Sequence, residues 1–367
     1  MPWTTVEPKP VPADPASHLT VSVLTPGRWM ATMLVLTGAS LLTLLVCLKF
    51  GAERIGLAEA IEILARAFRG GDAVAESAGS AGVILLQVRL PRVILGFVVG
   101  GSLAVVGAAL QALLRNPLAD PYVLGLSSGA ALGVSVALVV GLSAVSLALP
   151  LLPLSAFAGS LLSILLVYRV AVSYGHLPVH TLLLAGVVLN TLFSALIMFA
   201  TSLMDPAQSF RIISWLMGTL SAPDYQALAV LALYSLVGGI LLVRQARPLN
   251  LLTLGEETAR SLGLEVEQVK RRLFFLAALL TGAVVSVSGL IGFVGMAVPH
   301  AVRMVLGADH RLLMPASVLV GGTFLVAADT VARTVLAPAE IPVGVITALV
   351  GAPFFLYLLI SRKGGMV

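Results

Sequence analysis

The sequence predicts an all-α polytopic membrane protein with about ten transmembrane helices per subunit, and three observations predict it. Of its 367 residues, 59% are hydrophobic and only 11% are charged, against roughly 25% charged in an ordinary soluble domain. Mean hydropathy is +1.05, too apolar for a surface that meets water throughout. Runs such as Trp29 to Phe50 and Arg92 to Leu114 match the about 20 helical residues needed to cross the hydrocarbon core. Buried helices of a large soluble protein would carry polar outer faces, and most of these runs have none.

Residues 1–27 read as a disordered cytoplasmic tail, because the first 26 residues hold six prolines and few apolar side chains. The apolar run after Arg28 is too long for the core of a cleavable signal. Residues 28–362 form the transmembrane domain, and 363–367 form a short cytoplasmic tail. Within the domain the apolar runs give spans at 29–50, 92–114, 121–142, 147–169, 180–203, 224–244, 272–290, 292–305, 312–333 and 342–361. The eighth is short and carries Gly292, Gly295 and Pro299, which predicts a tilted or discontinuous helix. Small-xxx-small spacing at Gly96 and Gly100, and at Gly125, Gly129 and Gly133, predicts close helix packing.

An even number of spans puts both termini on one side, and the positive-inside rule makes that side cytoplasmic. That face then receives Arg115, Arg169, Arg244, Arg247, Arg260, Lys270, Arg271, Arg272, Arg303, Arg311, Arg362 and Lys363. The opposite face includes a long segment, Gly51 to Gln87. There Leu57, Ile61, Leu64 and Phe68 recur at helical spacing, the pattern of a helix lying on the membrane surface.

Four short segments stand out. Arg115-Asn-Pro-Leu-Ala-Asp-Pro121 reads as a tight hairpin, with Arg115 at a helix C-terminus and Asp120 capping the next helix. Between 244 and 272, Gly255 to Gly263 reads as a short cytoplasmic helix. Glu256 and Glu257 fall in its first turn, Arg260 near its end and Gly263 at C′, with Ala259 and Leu262 forming one small apolar face. Such a helix must dock on something, either its own bundle or a partner. Arg89-Leu-Pro-Arg92 opens the second span on the outer face, where the arginines either snorkel to headgroups or meet acidic groups. Arg333 follows Asp329 by four residues, the spacing of an intrahelical ion pair.

Chemistry is conspicuous by what is missing. The four lysines precede Pro10, Phe50, Arg271 and Gly364, so no GK[ST] phosphate loop exists. The five histidines show no metal-ligand spacing, the single Cys47 permits no internal disulfide, and no nucleophile-base set emerges. The chain reads as a transporter subunit without its own ATPase, catalytic residues, metal or cofactor. An ion-coupled secondary transporter or channel stays open as an alternative class, with Asp329 its best ion site.

Taken together, the motifs resemble the FecCD-type permeases, membrane subunits of ABC importers for iron-siderophores, haem and vitamin B12. The resemblance covers about residues 85 to 360. It runs through Arg89-Leu-Pro-Arg92, Gly101-Ser-Leu-Ala104, Arg115 to Pro121, Leu184-Ala-Gly186, Trp215-Leu-Met-Gly218 and Leu254 to Gly263. Gly289 to His300, Asp309-His-Arg311, Asp329 to Arg333, Glu340 to Gly344 and Gly351 to Phe355 continue it. It implies the type II ABC importer permease fold in a bacterial inner membrane, as a homodimer or pseudo-dimer. Two cytoplasmic ATPase subunits would dock below and a periplasmic or lipid-anchored binding protein above, with no nucleic acid involved. Gly255, Glu256, Ala259, Arg260, Leu262 and Gly263 would form the ATPase-coupling helix. Arg89, Arg92 and Arg333 would meet glutamates of the binding protein, and Asn116, Leu118, Val179 and His180 would lie at the cytoplasmic gate. Vitamin B12 permeases can carry small polar residues where this chain has Val179 and His180. The resemblance implies an iron chelate, haem or corrinoid as the cargo.

Overall fold

In the computed structural model the described residues are 24–51, 55–70, 79–142, 150–173, 175–221 and 224–363. Most of the tail expected at 1–27, and the last four residues of that at 363–367, lie outside them. The first helix, α1 (Pro26–Lys49), starts slightly before the expected domain boundary, because Thr25 accepts a hydrogen bond from the Arg28 amide and Pro26 fits the first turn. Next come α2 (Leu57–Gly70) and α3 (Gly79–Leu113), the latter 35 residues long. A π-helical turn, Ile84–Arg89, interrupts α3 just before Pro91.

The remaining helices are α4 (Leu126–Val139), α5 (Leu151–Ala171), α6 (Val179–Ser202), α7 (Pro206–Leu216), α8 (Tyr225–Val243), α9 (Ala246–Leu252) and α10 (Glu256–Ser261). They are followed by α11 (Val266–Ser288), α12 (Val294–Leu306), α13 (His310–Thr334) and α14 (Val343–Lys363). Every predicted span has its helix. Among the described residues, seven helices are long and apolar enough to cross a membrane, and Leu126–Val139, Val294–Leu306 and Val343–Leu358 are shorter apolar ones.

The hydrophobic core is built around α3. Its 83% burial over the apolar window contrasts with 17% for α1, so α3 is the central helix and α1 a peripheral one. Packing against α13 is its most extensive contact, with α12, α11 and α8 also touching it. Close approach explains the small residues. A Cβ at Gly107 would fall 1.6 Å from the Gly295 carbonyl oxygen, so α3 and α12 meet backbone to backbone. Likewise, Gly129 and Gly133 of α4 face Gly159, Ser155 and Ser163 of α5.

Two spans are broken, one of them foreseen. α12 has 13 residues, about 20 Å of helix against a core of about 30 Å. The chain before it is irregular, with Gly289 and Phe293 at positive φ. The third span, expected as one helix over 121–142, is instead a 3₁₀ turn (Pro121–Leu124), then Gly125 at φ 79°, then the 14-residue α4. Apolar runs alone do not reveal this break. Exposed backbone at such breaks must find partners. Tyr122 supplies them: its hydroxyl accepts from the Ile291 amide and donates to the Ile291 carbonyl, both at 2.6 Å. Asn190 donates to the Tyr122 carbonyl at 3.1 Å, and Ser163 to that of Gly125 at 2.6 Å.

α2 bears out the amphipathic reading, but it buries Ala60 and Ile63 against the end of α1, while Leu57 and Ile61 stay exposed. α7 was not anticipated, although its capping box is written as Asp205-Pro-Ala-Gln208.

Candidate functional site

Charged groups gather at both ends of the bundle. At the end where α1 finishes, Arg92 donates from Nε and Nη2 to Asp329 at 2.9–3.2 Å and from Nη1 to Glu340 at 2.9 Å. Asp329 also lies 3.7 Å from Arg333 Nε, the i,i+4 pair expected from the sequence. Arg333 donates to the Cys47 carbonyl at 2.9 Å, and Arg89 donates to those of Leu48 at 2.9 Å and Lys49 at 3.1 Å. Cys47, Leu48 and Lys49 form the last turn of α1, whose carbonyls lack helical partners. Two cations there also suit the negative end of the helix dipole.

The three arginines are thus brought together, but not as a freely presented rim. Arg89 and Arg333 are 3% and 7% exposed, because both pack onto the carbonyls at the end of α1. Arg92 and Glu340 are what reach a surface: both line a cleft of about 340 Å³ beside Phe210 and Ser214 of α7. Asp329, held bidentately by Arg92, has no need of a coupling ion to satisfy its charge.

The other end holds the short helix foreseen between Gly255 and Gly263. Gly255 precedes α10 at φ 111°, and the helix closes with Leu264 N donating to Ala259 O and Gly263 N to Arg260 O. This paired closure needs a left-handed residue at C′, which Gly263 provides at φ 84°. The expected apolar face divides: Ala259 is fully buried, whereas Leu262 is 57% exposed. Six residues bury too little to hold themselves, so the helix is anchored by charge. Lys270 Nζ of α11, its side chain 3% exposed, lies 3.1 Å from Glu256 and 3.0 Å from Glu267. Arg260 reaches the same two carboxylates at 3.6 and 3.3 Å. Glu267 also accepts from the Leu177 amide at 2.8 Å, and His176 lies 3.5 Å from it.

The hairpin after α3 joins this network. Arg115 takes a left-handed conformation at φ 47° and places its guanidinium 3.9 Å from Glu256. Asn116 Oδ1 accepts from the Leu118 amide at 2.9 Å, a local turn, and leaves Leu118 exposed. Val179 and His180 open α6 and line a cleft of about 570 Å³ together with Arg115, Gly255, Glu256, Glu257 and Arg260. The structure therefore joins Val179 and His180 to the short helix, a juxtaposition no spacing in the sequence gives. Asn116 and Leu118 follow Arg115 directly but are not part of that lining.

Other functional candidates were missed by sequence reasoning. Lys270 reads only as one of the cytoplasmic-face charges, and Glu267 and His176 carry no local signal. The Tyr122, Asn190 and Ser128 cluster carries no motif, and Ser128 donates to Asn190 at 2.5 Å. Asn250 bridges Asp309 and the His310 amide at 2.8 and 2.9 Å, tying α9 to α13. Arg311 beside Asp309 holds that carboxyl down to about 2.

Broken helices around a packed bundle, with a docked surface helix at one end and a charged cleft at the other, define a multi-pass transport permease. The chain belongs to the FecCD transport family, which matches residues 39–361. It is 47% identical over 285 residues to the cobalamin import system permease protein of Halobacterium salinarum, covering 77% of this chain and 75% of that one. To the hemin transport system permease protein of Yersinia pestis it is 46% identical over 285 residues, covering 76% and 84%. A solved structure named for an inward-facing, metal-chelate type ABC transporter superposes with a TM-score of 0.75 at 30% identity, over 90% of this chain and 99% of that one. Relatives of nearly equal similarity thus carry different cargo names.

Proposed function

We propose that this chain is the membrane-spanning subunit of an ATP-driven importer for an iron chelate, haem or corrinoid. Two copies, or this chain and a homologous partner, would enclose the pathway. Partner ATPases would act on α10 at the cytoplasmic end, and both termini would lie on that side. The observation that carries this reading is α10 itself. It is a six-residue helix that leaves Leu262 exposed, hangs on an ionic network and shares a cleft with Val179 and His180. Force applied to α10 reaches the start of α6 through Glu256, Lys270, Glu267 and the Leu177 amide. Alternating access needs such a coupling, because an effector shifts a conformational equilibrium only by differential contacts with its states.

At the opposite face the proposed docking of a binding protein falls on Arg92 and Glu340, with Arg89 and Arg333 fixing the α1 end beside them. The experiment is reconstitution in vesicles with the cognate ATPase and binding protein, followed by uptake of haem, a ferric siderophore and cobalamin. Uptake of one of them that requires ATP and stops with a hydrolysis-dead ATPase is expected. Uptake that persists without any ATPase subunit would overturn the proposal in favour of an ion-coupled carrier.

A further inference from the structure

Between α1, α3, α8 and α13 lies a groove of about 620 Å³ that neither charged end uses; Met33, Phe97, Val105, Gly239, Arg244 and Pro315 are among its walls. Its volume falls within the about 300–1,000 Å³ of sites that hold small molecules. Apart from Ser102, Ser235 and Arg244 the lining side chains carry no hydrogen-bonding groups. A water-soluble ligand would find little to bind there.

The space is deep. A Cβ built on Gly239 meets nothing within 4 Å, so the groove reaches the backbone of α8. One turn earlier, Ser235 is 7% exposed in the same wall, and its hydroxyl has no hydrogen-bond partner. The end of the groove carries charge. Arg244, at the C-terminus of α8, lines it and is exposed, with no ion pair among the described residues. Trp29 and Arg311 each lie one turn before a wall residue, Met33 and Pro315, and Trp29 Nε1 donates to the Arg311 carbonyl at 3.1 Å. A tryptophan at a helix start marks the headgroup level of a bilayer. The Arg311 charge is already matched by Asp309, and among the residues that line the groove Arg244 is the cation.

We propose that this groove binds one anionic glycerophospholipid, with an acyl chain lying past Gly239 and the phosphate on Arg244. A hydrocarbon slot opening beside an unpaired arginine at headgroup level complements that amphiphile and discriminates against a zwitterionic one. In the orientation given above, the lipid comes from the cytoplasmic leaflet, where anionic headgroups attract basic side chains.

The test is native mass spectrometry of the intact permease released from nanodiscs holding equal amounts of phosphatidylglycerol and phosphatidylcholine with matched chains. The wild-type protein should retain phosphatidylglycerol about fivefold over phosphatidylcholine, the ratio that about 1 kcal/mol from one arginine gives. Arg244→Glu, which removes the phosphate contact, should erase that preference. Gly239→Leu, whose side chain enters the groove, should lower retention of both lipids while thermal unfolding stays unchanged or rises. Equal retention of the two lipids by the wild-type protein would overturn the proposal without any variant. So would loss in Arg244→Glu alongside full retention in Gly239→Leu, which would mean headgroup adsorption outside the groove. Lipid retention appearing only after deletion of residues 1–23 would also overturn it, because the chain's own segment would then fill the space.

Discussion

Replacing Lys270 by methionine keeps an unbranched stem in place while deleting the charge between Glu256 and Glu267. The ammonium lies 3.1 and 3.0 Å from the two carboxylates and its side chain is 3% exposed. Removing one partner from a buried ion pair costs about 3–5 kcal/mol, mostly through the charge left behind. Here Glu256 and Glu267 are 23% and 18% exposed, and Arg260 stays within 3.6 and 3.3 Å of them. Partial hydration and that second cation reduce the expected loss to about 2 kcal/mol. The loss falls on the seating of α10, because Ala259 is the residue of that helix that is buried. Two kcal/mol shifts a docking equilibrium roughly thirtyfold. Amide hydrogen exchange at residues 256–262 should accelerate by about that factor. In the assembled importer, ATP hydrolysed per molecule imported should rise. The double change Lys270→Met with Glu267→Gln should recover part of the loss, since it also removes one uncompensated carboxylate. Unchanged exchange together with unchanged coupling in Lys270→Met would refute the argument that this cation holds the helix.

Leu262→Asp, at a 57% exposed site, should leave unfolding within about 0.5 kcal/mol yet weaken ATPase binding, whereas Ala259→Asp should unseat the helix by burying an unpaired charge. Gly107→Ala puts a methyl 1.6 Å from the Gly295 carbonyl oxygen, where neither backbone can yield, and should cost about 3 kcal/mol or more in thermal or denaturant unfolding. Arg115→Gly should relieve a left-handed non-glycine backbone while cutting the 3.9 Å contact with Glu256, so stability should hold or rise as coupling falls. Asp309, whose carboxyl the Arg311 side chain holds near 2 against an ordinary 3.8, binds fewer protons folded than unfolded. Its contribution is therefore present above pH about 4 and lost as pH falls toward about 2. Unfolding temperatures of the wild type and Asp309→Asn should differ near neutral pH and converge at the acid end of that window.

Much of this molecule was legible in order along the chain. Trp29 to Phe50 announces a span because lipid tolerates no run of charges and water no run of apolar side chains, so composition decides the solvent directly. Gly255, Glu256, Glu257 and Gly263 announce α10 because helix ends have local chemistry. Pro299 and its neighbouring glycines announce the shortened α12. The break before α4 was not legible, since Tyr122-Val-Leu-Gly125 is as apolar as a continuous helix. What holds it apart is Asn190, Ser163 and Ile291, all distant in sequence. The candidate site divides the same way. Spacing gave Asp329 to Arg333, which is an intrahelical pair. It could not give Arg89 and Arg333 to the carbonyls of α1, because those contacts span some 40 and 286 positions.

The sequence by itself determined that the chain crosses a membrane, how often, where its surface helix begins and ends, and which family it resembles. Each of these rests on composition or on interactions within a few residues. Only the tertiary structure decided which charges are buried and which reach a surface. It buried Arg89 and Arg333 against α1, left Arg92 and Glu340 lining a cleft, and split Ala259 from Leu262. It also set Val179 and His180 beside α10 through Lys270 and Glu267. The physical reason is that a charge near lipid takes the nearest partner that spares it desolvation, and which partner is nearest is a property of the folded bundle.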